Sequence, residues 1–201
     1  MLTACRIMRN IPVSFQFAEH SSSIYEIKAY FDKLKNSICY TYDISREIYV
    51  GQPALAIQKE KDKLLLELNI EGGFALLSTV EAMFRTDFIC RCRKKKKEQI
   101  DKDFKEALKK VDKLYKIDIK ESILERWKQE YPSEQHCFTL MKERMEYRNW
   151  IAHGRYWNKF HDAGRDKFSF DSLFLEISAL ISLVGPRLLS VESVGMPVRT
   201  I

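Results

Sequence analysis

Residues 75–91, ALLSTVEAMFRTDFICR, decide the fold class. Leu76, Val80, Met83, Phe84 and Phe88 recur at helical spacing, which makes one apolar face of a helix over about residues 74–92. Gly72-Gly73 precedes that helix. Glu81 and Arg85 stand four residues apart, so they can pair on the helix surface or, inside a bundle, brace a site.

The same period extends outward in both directions. Residues 21–38 read as a helix capped by serines, with Ile24, Ile27, Phe31 and Leu34 on its apolar side. Phe104, Leu108, Val111 and Leu114 or Tyr115 form a stripe in the lysine-rich stretch that follows. Residues 121–130 continue as a helix with Ile123, Leu124 and Trp127 inward. Ser133 is the expected cap of the next helix, from about Glu134. After the polar loop NKFHDAGRDKFS, a last helix covers about residues 170–184 and stops at Gly185-Pro186. Residues 48–69 fit two readings. The IYV triplet and the alternation of Leu64, Leu66 and Leu68 favour a β-hairpin; the alternative is a helix, since neither Gly nor Pro breaks the stretch after Pro53. The expected architecture is all-α: an up-and-down helical bundle of four to six helices, with a small β-hairpin before the core helices. A single domain is expected, its core at about residues 70–185, with an N-terminal extension (1–69) and a short C-terminal tail.

The chain has 201 residues and a formal net charge of +6. The charge is concentrated. Residues 91–120 hold 13 Lys/Arg against 6 Asp/Glu, a local excess of +7, so the remainder is close to neutral. Arg91, Arg93, Lys94, Lys95, Lys96 and Lys97 are candidates for holding an RNA backbone. Five scattered cysteines read as reduced thiols: Cys90-Arg91-Cys92 lacks zinc-knuckle spacing, and Cys137 faces no obvious base. No metal site and no cofactor are expected. The absence of a phosphate-binding glycine loop argues against a nucleotide-driven motor or kinase. No leader or membrane span is expected, which points to the cytoplasm.

The candidate chemistry sits at residues 145–157, MEYRNWIAHGRYW. Phe138, Met141, Met145, Arg148 and Ala152 follow spacings of three and four, so a guanidinium interrupts an apolar stripe. A cation there needs an acidic or phosphate partner, or an open cleft. Asn149 and His153 are four apart on the adjoining face. Arg148 and His153 are five apart, roughly 140° around the axis, so they flank a groove more readily than touch. Histidine moves protons near neutral pH, and arginine grips a phosphate through two parallel hydrogen bonds. Together they suit metal-free RNA cleavage, in which the 2′-hydroxyl attacks the adjacent phosphorus and leaves a 2′,3′-cyclic phosphate. A two-fold dimer would supply two of each group. Against this stands the ordinary role of such residues near a helix end, to cap and pair.

Arg148-Asn149-Trp150-Ile151-Ala152-His153 resembles the Arg-X4-His signature of the HEPN superfamily, including the Asn after the Arg and the Ala before the His. Residues 75–91 are similar to the earlier core helix of a branch that includes the RiboL-PSP-HEPN group. The resemblance covers about residues 70–185. It implies a four- or five-helix bundle and a homodimer paired through the helix carrying residues 145–153. It further implies a metal-independent endoribonuclease, used as a toxin or antiviral effector and often held by an antitoxin or other regulatory protein. By the resemblance Arg148 and His153 are catalytic and Asn149 positions the site. Glu81 and Arg85 are supporting residues by the same resemblance; Tyr156, from its place at the cleft edge alone, is a further supporting candidate that can stack or donate a hydrogen bond. Other members of the superfamily are inactive RNA-binding or protein-interaction modules, and this is the alternative reading.

Overall fold

A computed structural model describes residues 23–94, 98–154 and 167–189. Among them the chain is all-α, with six α-helices and no strand. These are α1 (Ile24–Thr41), α2 (Ala54–Arg93), α3 (Gln99–Lys109), α4 (Glu125–Glu130), α5 (Gln135–Ala152) and α6 (Phe170–Val184). The residues form two compact units. Named for their order along the sequence alone, the central unit holds the described residues of 80–147 and 179–189, and the flanking unit those of 23–79 and 148–178. Helices α2, α5 and α6 each give residues to both.

The expected hairpin is absent among the described residues. Residues 54–69 are instead the first part of α2. Without Gly or Pro the backbone has no reason to break there, and Leu64, Leu66 and Leu68 do not share one face: Leu68 is buried and Leu64 exposed. Gly72 is likewise not a helix boundary but lies well inside α2.

Gly72 is a place of close approach in the flanking unit. Phe31 of α1 and Phe170 of α6 stack face to face, with centroids 3.7 Å apart and planes at 6°. A Cβ added to Gly72 would come within 2.6 Å of Phe170 Cδ2 and 2.9 Å of Phe31 Cδ2. The missing side chain therefore lets two buried rings lie on the helix backbone. Three helix starts and flanks are tied here by hydrogen bonds. Ser23 caps α1, with its Oγ accepting from Glu26 N at 3.2 Å and its own N–H donating to Glu26 Oε2 at 2.6 Å. Asn69 Oδ1 on α2 accepts from Phe170 N at 3.1 Å, so one helix caps another. Lys28 joins Asp32 on its own helix and Asp171 on α6, at 2.6 and 3.5 Å.

The central unit is held by a polar hub. Arg91, with 4% of its side chain exposed, donates through Nε to Asp87 and through Nη1 to Asp101, both at 2.9 Å. Both carboxylates have no exposed side-chain surface. Arg91 Nη2 donates to Arg187 O at 2.6 Å, and its guanidinium lies 4.9 Å from the centre of the Trp127 ring. Asp87 also accepts from Trp127 Nε1 at 3.1 Å and Leu189 N at 2.9 Å. Asp101 accepts from Glu98 N at 3.0 Å, which starts α3. Residues of α2, the start of α3, α4 and the chain after α6 thus converge on one cation. Burial pushes the Asp87 carboxyl up to about 6, against the pull of Arg91, the Leu189 N–H and the Trp127 N–H.

Two outcomes test this frame. Gly72→Ala should destabilise the fold in urea melts: overpacking against buried rings costs about 1–3 kcal/mol, against the roughly 1 kcal/mol that Ala gains over Gly in a helix. The cost should shrink in a Phe170→Leu background, where the nearest ring is gone. Arg91→Met should cost about 3–5 kcal/mol at neutral pH, because it strands two buried carboxylates. The sign of its pH dependence follows from Asp87. A folded pKa above the unfolded value of about 3.8 gives stability that is full below that value and lost as pH rises through about 6. Removing Arg91 removes an opposing pull and moves that loss to higher pH, so the Met variant should be further from wild type at pH 8 than at pH 5.

Candidate functional site

Helix α5 delivers the motif. Phe138, Met141 and Met145 are buried, as the stripe predicts. Arg148 is half-buried, one turn further along. Its Nη1 donates to Asn149 Oδ1 at 3.3 Å, and its guanidinium lies 5.3 Å from the centre of the Phe74 ring. Residues 74, 148, 149 and 153 all belong to the flanking unit. Asn149 uses its amide oxygen on Arg148 and its backbone carbonyl on the His153 N–H, at 3.0 Å. The first bond is made by the Asn149 side chain; the second is the ordinary last-turn bond of the helix. His153 itself is exposed, just past the last residue of α5. Gly154 follows with φ +82°, its N–H bonding Ile151 O at 3.1 Å. That left-handed residue turns the chain off the helix directly after the imidazole.

Chemically the arrangement combines a guanidinium steadied by a ring and an amide with an imidazole open to solvent. The first suits a phosphate; the second suits proton transfer. Tyr156 lies outside the described residues, as do Lys95, Lys96 and Lys97.

Glu81 and Arg85 belong to the central unit and pair with one another, Nε to Oε1 at 2.7 Å. Arg85 Nη1 also donates to Ile117 O at 3.0 Å, which fastens the segment after α3 to α2. Their observed work is bracing.

The basic run needs correction. Arg91 points inward, into the hub, and has no phosphate-facing surface. Its position explains this: Phe84, Phe88 and Arg91 continue the apolar stripe of α2, and Asp87 precedes it by four. Lys94 is engaged by Glu98 at 3.2 Å and Asp101 at 3.6 Å. Arg93 is half-buried. A second correction concerns Cys137, whose Sγ lies 3.3 Å from His136 Nε2 at the start of α5. The buried Cys90 thiol is pushed up to about 11, chiefly by desolvation, and is inert as a nucleophile.

The sequence reading missed Arg144. It lies in the central unit with 1% of its side chain exposed. Met141, Arg144 and Arg148 are three and four apart, so the signal that singled out Arg148 was present one turn earlier. A shallow cleft in the central unit, bordered by Lys120, Lys142 and Glu146, is taken up by its own ion pairs: Lys142 with Glu121 and Glu125, each at 3.0 Å, and Lys120 with Glu146 at 3.1 Å. Among the described residues no group of three or more His, Cys, Asp or Glu is placed to hold a metal ion. No helix among them is long and apolar enough to cross a membrane.

Compared with known proteins, the chain matches no family model, no curated protein and no solved structure.

The helix end that presents His153 depends on a residue at positive φ. Gly154→Ala should lower stability by about 1–2 kcal/mol, the cost of a left-handed Cβ, in chemical denaturation. Gly154→Asn should cost clearly less, since Asn tolerates that region. Equal losses would mean that the backbone there does not need the left-handed conformation.

Proposed function

We propose that this protein is a metal-independent endoribonuclease of the HEPN type, working as a homodimer through the helix carrying residues 145–153. The observation that carries the reading is the end of α5. Arg148 is half-buried and steadied by the Asn149 side chain and the Phe74 ring, while His153 stands exposed one step past the helix.

In the proposed reaction Arg148 holds the non-bridging oxygens of the scissile phosphate and offsets the charge that builds on them. His153 of one copy accepts the proton of the 2′-hydroxyl. The O2′–P bond forms, the P–O5′ bond breaks, and the second copy's His153 returns a proton to the 5′-oxygen. The products are a 2′,3′-cyclic phosphate and a 5′-hydroxyl, with no water consumed and no metal needed. A toxin or antiviral effector of this kind requires restraint by an antitoxin or regulatory protein. The flanking unit, which carries Arg148 and His153, also exposes Tyr25, Tyr30 and Tyr40, and such rings are good protein anchors.

Total RNA incubated with the purified protein in EDTA, across pH 6–8, tests the reading. Wild type should cut and leave cyclic-phosphate ends. His153→Ala should cut at least about 100-fold more slowly, the usual weight of a general acid–base, while keeping the wild-type sedimentation coefficient. Arg148→Lys should stay impaired, because a point charge does not replace a planar fork. RNA bound but left intact by wild type would favour the inactive binding module instead.

A further inference from the structure

The central unit offers a charged face that the basic run of residues 91–97 does not explain. Helix α3 turns Ile100, Phe104 and Leu108 inward. Around its remaining surface stand Lys102, Lys105, Lys109 and, at the C-cap, Lys110. Lys102, Lys109 and Lys110 are exposed and Lys105 is half-buried. Two carboxylates, Asp103 and Glu106, share this surface, and Asp112 lies just beyond it. Asp103 accepts from Gln99 Nε2 at 2.9 Å, Glu106 pairs with Lys109, and Asp112 pairs with Lys116 at 2.9 Å. Lys102, Lys105 and Lys110 have no ion pair among the described residues. Asp103 keeps its charge beside a neutral amide and Glu106 also attracts Lys110, so four lysines stand against two carboxylates and the face keeps a formal excess of +2.

The kind of partner follows from what the face lacks. Protein interfaces need buried apolar or aromatic anchors at their centre. The large apolar side chains that stand exposed among the described residues, from Tyr25 to Leu64 and at Leu175, all belong to the flanking unit. None lies on α3. Lysines alone supply flexible point charges, which neutralise a polyanion without reading its shape. No described aromatic side chain is exposed there for a base to stack on, so base recognition is not expected.

We infer that Lys102, Lys105 and Lys110, with Lys109 between them, bind the sugar–phosphate backbone of single-stranded RNA in a sequence-independent way. This rests on the proposed ribonuclease reading and names where that enzyme holds the strand outside its reacting phosphate.

The test uses the full chain carrying His153→Ala, so that binding is measured without cleavage. Anisotropy of a labelled mixed-sequence single-stranded RNA is followed from 50 to 300 mM salt. Each phosphate contact contributes about −0.7 to the slope of log affinity against log salt. Lys102→Gln, Lys105→Gln and Lys110→Gln together should make that slope shallower by about 2 and weaken binding at least about 10-fold at 0.1 M salt. Lys33→Gln, Lys59→Gln and Lys63→Gln, exposed lysines of the flanking unit, remove the same charge and should leave the slope nearly unchanged. A parent slope in the α3 variant overturns the inference, as does an equal loss in the control variant. Tight, α3-dependent binding of polyglutamate with no binding of RNA would assign the face to an acidic protein instead. If RNA binding depends on α3 but wild type cuts nothing, the ribonuclease reading fails and the surface stands. If wild type cuts and the slope does not change, the surface fails alone.

Discussion

The guanidinium of Arg91 stands between two carboxylates that have no access to water, and the central unit is organised by that fact. Burying three charges is expensive, and mutual attraction offsets the cost only when every remaining donor and acceptor is also satisfied. Here the partners are Trp127 from α4, the Leu189 N–H and Arg187 carbonyl from the chain after α6, and the start of α3 through Asp101. An apolar core tolerates small slips of register at modest loss. A network of this kind does not, because a slip would leave a buried charge without its partner. Removing any one partner of the hub therefore leaves a buried charge uncompensated.

The flanking unit solves the same problem with rings. Phe31 and Phe170 come from helices far apart in sequence and stack against a helix backbone that has no side chain at Gly72. Asn69, one turn earlier on α2, caps the helix that carries Phe170. Close approach and capping therefore act on the same two helices within a few residues. Both units are discontinuous in sequence, so neither can form from local contacts alone, and the long helix α2 gives residues to each.

Much of this was legible in the sequence. The all-α class, the last helix at Phe170–Val184, the inward Trp127 and the serine cap of α1 follow from periodicity and cap chemistry, which are local rules. The course of residues 48–69 was not legible, because short apolar runs fit a strand or a helix and the deciding feature, continuity of α2 through Gly72-Gly73, depends on tertiary contact. The inward turn of Arg91 could have been read. It interrupts an apolar stripe just as Arg148 does, with an acid four residues before it. Five basic neighbours hid it, since composition suggests a solvated run where periodicity points into the core. Arg144 shows the same pattern. On the candidate site, spacing placed Arg148, Asn149 and His153 on adjoining faces. It could not supply Phe74, which is distant in sequence, nor the bond between the Arg148 and Asn149 side chains.

The proposed chemistry places a strict demand on this geometry. A phosphodiester exchanges its oxygens nearly in line, so the proton acceptor and the proton donor belong on opposite sides of the phosphorus. One imidazole on one helix end cannot occupy both sides in a single step. Continued at helical pitch, the five residues from Arg148 to His153 turn roughly 140° and rise about 7.5 Å, and His153 stands one residue past the end of α5. At that spacing one copy's phosphate grip and proton carrier flank a groove more readily than they meet. A two-fold axis across α5 would set each guanidinium opposite the other copy's imidazole and supply a donor to match each acceptor. In the proposed enzyme, dimerisation is accordingly part of the catalytic apparatus: a folded monomer would hold every named residue and still lack half of the reaction's proton path.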